Sequence, residues 1–341
     1  MGPLELLYYL GYSLEKSRSL RSRKRLPHRV ISIGNLTVGG TGKTPAAIAI
    51  AEEAKSRGYQ PCLLTRGYRG RAKGPCFVSR GEGPLLSVEE AGDEASLMAE
   101  KLEGVPIVKG SDRYDAGMFA IRDLQSLVPH LQSQFLFILD DGYQHWRLHR
   151  DTDILLIDST NPFGRRRLLP KGILREPLHE MRRADIVVLT KVPGAGDASD
   201  IQPGLTSEIR TYNPHALIYT SAHLPVGLRT LPGRDLPLDS LSGKPVLAFC
   251  GIGNPSSFRE TLLGMGTEIK GFMAFGDHHR YDARDVQRIM GTASECNADW
   301  IVTTEKDIMR LRGFDLPENV AALQIAFSAQ RGLYDEIFAE D

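Results

Sequence analysis

The sequence predicts an α/β protein: a doubly wound, mostly parallel sheet, with a second, smaller α/β domain joined to it by a β-hairpin linker. Three observations carry this expectation. Near-continuous apolar runs recur at VISI (30–33), CLLT (62–65), PIV (106–108), FLFIL (135–139), DILLI (153–157) and DIVVL (185–189). Helix-length segments separate several of them, as expected of parallel strands buried on both faces. From about residue 193 the texture changes to Gly/Pro-rich stretches flanking the alternating ALIYTSAHL, which reads as linker and hairpin. At 341 residues the chain also exceeds the usual size of one domain.

Taken in order, residues 1–28 form an amphipathic and basic segment. At 100° per residue Leu4, Leu7, Leu10 and Leu14 share one helical face, and RSRKR follows. The pattern suits a helix lying in a membrane surface with its basic flank on anionic headgroups. It equally suits a helix packed on the core beside a solvated linker. The apolar run LLYYL (6–10) is far short of the ~20 residues that cross a bilayer. The charges follow the apolar stretch, the reverse of a signal peptide. Residues 29–215 hold the six runs above and form the expected nucleotide-binding domain, 216–235 the hairpin linker, and 236–341 the smaller domain. In that last segment PVLAFCGIG (245–253), EIKGFMAF (268–275) and DWIVTT (299–304) supply strands.

Composition narrows the function. Forty-two basic residues balance 42 acidic ones, which argues against a general nucleic-acid binder, because phosphate-backbone affinity needs a surplus of Lys and Arg. The excess is local: residues 1–30 carry seven basic residues against Glu5 and Glu15. Cys62, Cys76, Cys250 and Cys296 are scattered without a C-x-x-C pair, so neither a zinc site nor a disulfide framework is indicated and a reducing compartment fits.

The stretch ISIGNLTVGGTGKTP places a Gly-rich loop between a β-branched run and a helical one. In a phosphate-binding loop, backbone N–H groups wrap the phosphates, a lysine neutralises them and a hydroxyl binds Mg²⁺. Here the frame is Thr37, Val38, Gly39, Gly40, Thr41, Gly42, Lys43 and Thr44, with Thr37 where the first Gly is usual. FLFILDDGYQ brings Asp140 and Asp141 to the C-terminal end of an apolar strand, the Walker B arrangement that completes a metal site. The fold class is therefore a P-loop NTPase-type sheet that uses a nucleoside triphosphate with Mg²⁺. A guanine-reading N/T-K-x-D is not supported, because LTKVPG gives Thr190 and Lys191 but Pro193 in place of the Asp.

Asp93 and Glu94 in AGDEA stand at a helix start, either as capping carboxylates or as acid/base groups near the phosphates. In FGDHHRYD, His278 lies among Asp277, Arg280 and Asp282, a polar set suited to proton transfer. Arg-bearing loops, TRGYRGR (65–71), SDRY (111–114), FGRRRLLPKG (163–172) and LREP (174–177), suggest a substrate that itself carries phosphate. TTEKD (303–307) is either a nucleotide contact or a polar turn. A P-loop switch or metallochaperone, and a peripheral binding protein with a dead nucleotide site, are the competing classes. The intact Lys43, Thr44 and Asp140 disfavour the dead site.

Read together, GNLTVGGTGKT, LTRGYRGR, AGDEA, SDRY, LDDGYQHWRLHRD, LLPKGILREPL, FCGIGNP, FGDHHRYD and TTEKD closely resemble the tetraacyldisaccharide 4′-kinase family, from about residue 30 to 307. The resemblance implies transfer of the γ-phosphate of ATP to the 4′-hydroxyl of a tetraacyl glucosamine disaccharide 1-phosphate, forming lipid IVA in lipid A biosynthesis. It implies work at the cytoplasmic face of the inner membrane, peripheral or monotopic, with that membrane surface and the lipid sugar as partners and no obligate protein partner. By motif, Asp93 and His278 would form the acid/base dyad with Lys43 on the phosphates. Thr44, Asp140 and Asp141 would hold Mg²⁺, and Asn35, Arg66, Arg113, Gln144 and Arg175 would bind substrate. Ala95 and Tyr143 stand where Pro and Phe are common in the family, and neither change removes a charged group. The resemblance also favours membrane attachment of the N-terminal helix.

Overall fold

The computed structural model describes residues 2–124, 135–192, 203–231 and 233–339. The chain divides into two units, the first made of Met1–His223 with Phe327–Asp341 and the second of Leu224–Ala326.

In the first unit the strands are β1 (Arg29–Gly34), β2 (Gln60–Thr65), β3 (Cys76–Ser79), β4 (Ile107–Lys109), β5 (Phe135–Leu139), β6 (Thr152–Asp158), β7 (Ile186–Thr190) and the start of β8 (Leu217–Thr230). Their order is β8-β7-β6-β1-β5-β2-β4-β3. Every one of these pairings is parallel except β3 with β4. The helices are α1 (Pro3–Arg21), α2 (Lys43–Ser56), α3 (Val88–Ala91), α4 (Asp93–Lys101), α5 (Arg113–Leu124) and α6 (Leu205–Tyr212).

The continuous apolar runs are explained by burial on both faces. Along β5, Leu136 and Ile138 join one core with α2 and α4, while Phe137 and Leu139 join another with α5. Along β6 and β7, Ile154, Leu156, Ile186 and Val188 face the first core, and Leu155, Ile157, Val187 and Leu189 face a third, built with α6. Each fully buried Leu or Ile stabilises by about 1.5–3 kcal/mol relative to exposure.

The second unit contains β9 (Asp235–Leu236), β10 (Pro245–Cys250), β11 (Glu268–Ala274), β12 (Trp300–Thr304) and most of β13 (Val320–Ala329), with α7 (Pro255–Gly264), α8 (Ala283–Glu295) and α9 (Glu305–Arg310). The order β11-β10-β12-β13 is all parallel. Val246, Ala248 and Cys250 pack on α7 through Phe258 and Leu262, while Leu247 and Phe249 pack on α8 through Ile289 and Ala293.

Two segments differ from the sequence expectation. ALIYTSAHL does not begin the linker hairpin. Leu217–Thr220 pairs in parallel with β7, and only Leu228–Arg229 turns back antiparallel onto β9. The end of the chain does not stay with the smaller unit as 236–341 would have it. Phe327, and Leu333, Ile337 and Phe338 in and beside α10 (Leu333–Ile337), join the core of Ile31, Ile33 and α2. Arg29 Nη2 donates to Ile337 O at 2.8 Å. The reading of 193–202 as linker falls outside the described residues.

Candidate active site

β1 ends at Gly34 and α2 begins at Lys43, so the loop 35–42 sits where strand C-termini and a helix N-terminus meet. That is the position at which open α/β sheets bind phosphate. Gly42 is the N-cap of α2 with φ +85, a left-handed conformation that glycine adopts without penalty. The Val38 N–H is spent on Ile173 O at 2.8 Å and the Thr41 N–H on Gly39 O at 3.1 Å. Val38 therefore shapes the loop and offers the phosphates no N–H. Thr44 is buried, and the Asn35 amide donates to Thr41 Oγ1 at 2.9 Å, fastening the loop's entry to its crest.

The Walker B carboxylates stand beside this loop. β5, hydrogen-bonded to β1, ends at Leu139, and Asp140 follows, buried and accepting from Thr65 Oγ1 at 3.2 Å. Asp141 has φ +50 and lies 3.8 Å from Lys43 Nζ. Arg175 Nη1 donates to both of its oxygens, at 2.9 and 3.0 Å. Burial pushes the Asp141 carboxyl up, but Lys43, Arg175 and Arg113 outweigh it and hold the group at about 2.

Of the residues expected to bind substrate, Asn35, Gln144 and Arg175 belong to one network. Gln144 Nε2 donates to Asn35 O at 2.8 Å and to Glu176 Oε1 at 2.6 Å, while its carbonyl accepts from Arg175 at 3.3 Å. Arg113 is buried at the start of α5 with its N–H on His145 Nε2 at 3.3 Å and Nη1 on Ser111 O at 2.9 Å. Its Nε is buried without a partner among the described residues. Burial disfavours its charge, and Asp140 and Asp141 nearby counter that. Arg66, just beyond β2, is exposed.

Asp93 opens α4, buried, with Oδ1 accepting the Glu94 N–H at 3.1 Å. Gly92 before it has φ +94, and a Cβ there would lie 2.5 Å from Tyr68 O. Only glycine lets the Asp93 turn rest against the TRGYRGR loop.

His278 belongs to the second unit, with φ +56. Its N–H donates to Gly251 O at 3.0 Å and its Nδ1 is 3.5 Å from Arg310 Nη2. The neighbouring His279 is committed elsewhere, bonded to Asp285 at 2.7 Å and stacked on Phe275 at 4.8 Å. This loop is pinned by Asp307, which is fully buried and accepts from the Gly251 N–H, Tyr281 Oη, Thr304 Oγ1 and Arg310 Nη1, all within 2.6–3.0 Å. In TTEKD, then, Thr304 and Asp307 build the His278 loop.

Sequence reasoning missed Glu176, the glutamate of LREP. It is fully buried and accepts from Gln144, from both Nη atoms of Arg183 (2.7 and 3.0 Å) and from Tyr12 Oη at 3.2 Å. The signal lay in the motif itself, where a carboxylate directly follows the arginine. Arg183 in turn is held above its usual range: burial opposes its charge, but Glu176, Tyr143 and Glu180 prevail.

Tyr12 belongs to α1, which docks by its polar side. Tyr8 Oη donates to Arg175 O at 2.8 Å, Lys16 pairs with Glu180, and Arg167 donates to buried Glu5 at 2.6 and 2.9 Å. The leucines face the other way, with Leu7 68% and Leu14 73% exposed. Among the described residues no helix is long and apolar enough to cross a membrane.

A phosphate loop whose lysine faces strand-end carboxylates on a doubly wound sheet defines a P-loop enzyme of the NTP-using class. The sequence pattern of the family described as tetraacyldisaccharide-1-P 4′-kinase matches residues 1–340. Among curated relatives, tetraacyldisaccharide 4′-kinase of Syntrophus aciditrophicus is 43% identical over 317 residues, covering 90% of this chain and 82% of its own. That of Halothermothrix orenii is 39% identical over 304 residues, covering 84% and 75%. The solved structure of LpxK from Aquifex aeolicus, in complex with ATP, superposes with a TM-score of 0.74 at 33% identity, over 98% of this chain and 96% of that one. The chain belongs to the tetraacyldisaccharide 4′-kinase family, and it is an ATP-binding kinase.

Proposed function

We propose that this kinase moves the γ-phosphate of ATP to the 4′-hydroxyl of a tetraacyl glucosamine disaccharide 1-phosphate, giving lipid IVA, with Asp93 and His278 as its acid/base pair. The observation that carries the reading is Lys43 at the head of α2 facing Asp141 beside buried Asp140. Lys43 and the loop N–H groups hold the donor's phosphates. Asp93 takes the proton from the 4′-hydroxyl as that oxygen bonds to the γ-phosphorus, the bond to the β-phosphate oxygen breaks, and ADP leaves. His278 is the second acid/base group of that transfer. Arg113 and Arg175 offer guanidinium groups for phosphate oxygens.

The donor set of Thr44 hydroxyl with the Asp140 and Asp141 carboxylates is all oxygen, which fits Mg²⁺. When bound, the ion neutralises charge on the β- and γ-phosphates. For location, the leucine side of α1, with Arg18, Arg21, Arg23, Lys24 and Arg25 behind it, fits attachment to the cytoplasmic face of the inner membrane. That position brings the enzyme to a substrate whose acyl chains stay in the bilayer.

The test incubates purified protein, labelled ATP, Mg²⁺ and detergent-dispersed disaccharide. Lys43→Ala, Asp93→Ala and His278→Ala should each lose transfer by at least about 100-fold. Unimpaired transfer by Asp93→Ala would reduce Asp93 to a helix-start carboxylate. ATP hydrolysis that ignores the sugar lipid would point to a switch or metallochaperone.

A further inference from the structure

The site so far accounts for the triphosphate and leaves the donor's nucleoside without a seat. The strand order says where to look. β1 is flanked by β5 on one side and β6 on the other. The carboxylates after β5, with Lys43 against them, mark the γ-phosphate end. The nucleoside must then extend toward the C-terminal ends of β6, β7 and β8, where open α/β sheets hold their ligands.

Three features gather there, all within the first unit. Thr190, at the end of β7, donates its hydroxyl to Thr41 O in the phosphate loop at 3.0 Å. Lys191 follows with φ +58, its ammonium 2.5 Å from Asp158 at the end of β6. From β8, the His223 ring lies so close to the Gly42 Cα that a Cβ on Gly42 would overlap its Nε2 and Cε1. His223 Nε2 and the Ser221 hydroxyl are buried, and neither has a hydrogen-bond partner among the described residues. An unsatisfied buried polar atom costs about 1–3 kcal/mol, so one of them against the ligand loop, with a second two residues earlier on the same strand, points to a ligand that supplies the missing partners.

The chemistry selects which part of the ligand. Burial, with Lys191 adding to it and Asp158 opposing it, brings the His223 imidazole down to about 4, so at neutral pH the ring is uncharged. A neutral imidazole offers one donor, one acceptor and a flat face, and it has no charge with which to compete for phosphate. It suits the polar edge or ring of a nucleoside.

We propose that His223 is a specificity-determining residue that seats the nucleoside of the donor, its Nε2 exchanging a hydrogen bond with that nucleoside at the end of the phosphate loop. The proposal rests on the loop 37–44 being the triphosphate site. The experiment separates the two by using a ligand with the phosphate chain and no nucleoside.

Calorimetric titration compares ATP with inorganic tripolyphosphate, both with Mg²⁺, on the unsubstituted chain, His223→Ala and His223→Leu. The leucine keeps the packing volume against Gly42 and removes the polar group. ATP affinity should fall about tenfold in both variants, matching the loss of one hydrogen bond to a ligand, while tripolyphosphate affinity stays within about twofold. In turnover the KM for ATP should rise with kcat held, as for an interaction made equally before and during transfer. His223→Gln, which restores a donor and an acceptor, should recover most of the affinity. Equal loss for both ligands would show that the ring merely braces the loop, and unchanged ATP binding by His223→Leu would remove the seat altogether. Either result overturns the proposal. An unsubstituted chain that binds neither ligand would overturn the phosphate site itself.

Discussion

Arg175 Nη1 donates to both carboxylate oxygens of Asp141, at 2.9 and 3.0 Å, while Lys43 reaches the same carboxylate at 3.8 Å. The LREP segment is thereby tied to the phosphate loop through the Walker B motif. A guanidinium holds a planar carboxylate in a way an ammonium cannot reproduce. Arg175→Lys should therefore keep the charge and lose geometry, lowering kcat/KM for the disaccharide by about 10- to 100-fold. Arg175→Ala should lose more. Steady-state transfer assays with ATP saturating would check this, and wild-type kinetics for Arg175→Lys would show that charge alone matters.

Glu176 carries a second prediction. It is a fully buried carboxylate satisfied by Gln144, Arg183 and Tyr12. Removing one partner of a buried ion pair costs about 3–5 kcal/mol, because the other charge is left uncompensated. Glu176→Ala should lower the denaturation midpoint by part of that amount, because Arg183 keeps its bond to Glu180 at 2.6 Å. Glu176→Gln, which keeps one acceptor, should cost less. Chemical denaturation of both variants supplies the comparison, and a loss under about 1 kcal/mol in Glu176→Ala would mean that water replaces the carboxylate.

How much of this was legible in the sequence follows from what each signal depends on. The strand runs were readable to within a residue or two, because burial on both faces demands unbroken apolar stretches. FLFIL matches β5 residue for residue. β3 and β13 were not identified. CFVS is a four-residue strand at the sheet edge, too short to carry a pattern. VAALQIAFSA mixes buried and half-exposed positions and crosses from one unit to the other. Asp140, Asp141 and Lys43 were legible because their chemistry sits in contiguous motifs. Glu176, Asp307 and His223 were not, because their roles also draw on distant partners, Tyr12, Gly251 and Gly42 respectively, which no local window shows.

The N-terminal helix inverts the usual amphipathic arrangement. Its polar side makes the protein contacts, through Glu5, Tyr8, Tyr12 and Lys16, and its leucines are left outside. Deleting the helix would also strip partners from Glu176 and Glu180, so point substitutions are the cleaner probe. Leu7→Ser with Leu14→Ser should leave thermal stability within about 0.5 kcal/mol, as for exposed positions. Binding to anionic vesicles should weaken by at least about tenfold, each buried leucine side chain being worth roughly 1.5–3 kcal/mol. Flotation with phosphatidylglycerol vesicles reads this out, and undiminished flotation would detach the leucines from any membrane role.

Asp307 gives a prediction for the smaller unit. It accepts from the Gly251 N–H, Tyr281, Thr304 and Arg310, and Arg310 also bonds Gly251 O and approaches His278. The carboxylate therefore acts on His278 through others, as a positioning residue. Asp307→Asn replaces an acceptor-only group with one that must donate, where the surrounding groups are themselves donors. It should lower kcat by about 10- to 100-fold with KM little changed and displace the His278 ring resonances in NMR spectra. A purely structural role would instead lower stability while leaving kcat per folded molecule intact.

His223 is depressed to about 4 by burial and by Lys191, against the opposing Asp158. In the unfolded chain its pKa lies near 6.5. A histidine kept neutral by folding contributes stability fully above its unfolded pKa. Between pH 6.5 and about 4 the unfolded state binds the extra proton, so that contribution falls with pH. The whole loss is at most about 3.5 kcal/mol, since each tenfold difference in proton affinity is worth about 1.4. His145, brought down to about 4 by burial and by Arg113, adds a parallel loss in the same window. His223→Gln, which has nothing to titrate, should remove one of the two. Urea denaturation at half-unit steps from pH 7 to pH 4 should then show a shallower fall for His223→Gln than for the unsubstituted chain, and superimposable slopes would mean that the ring takes up its proton at the same pH folded as unfolded.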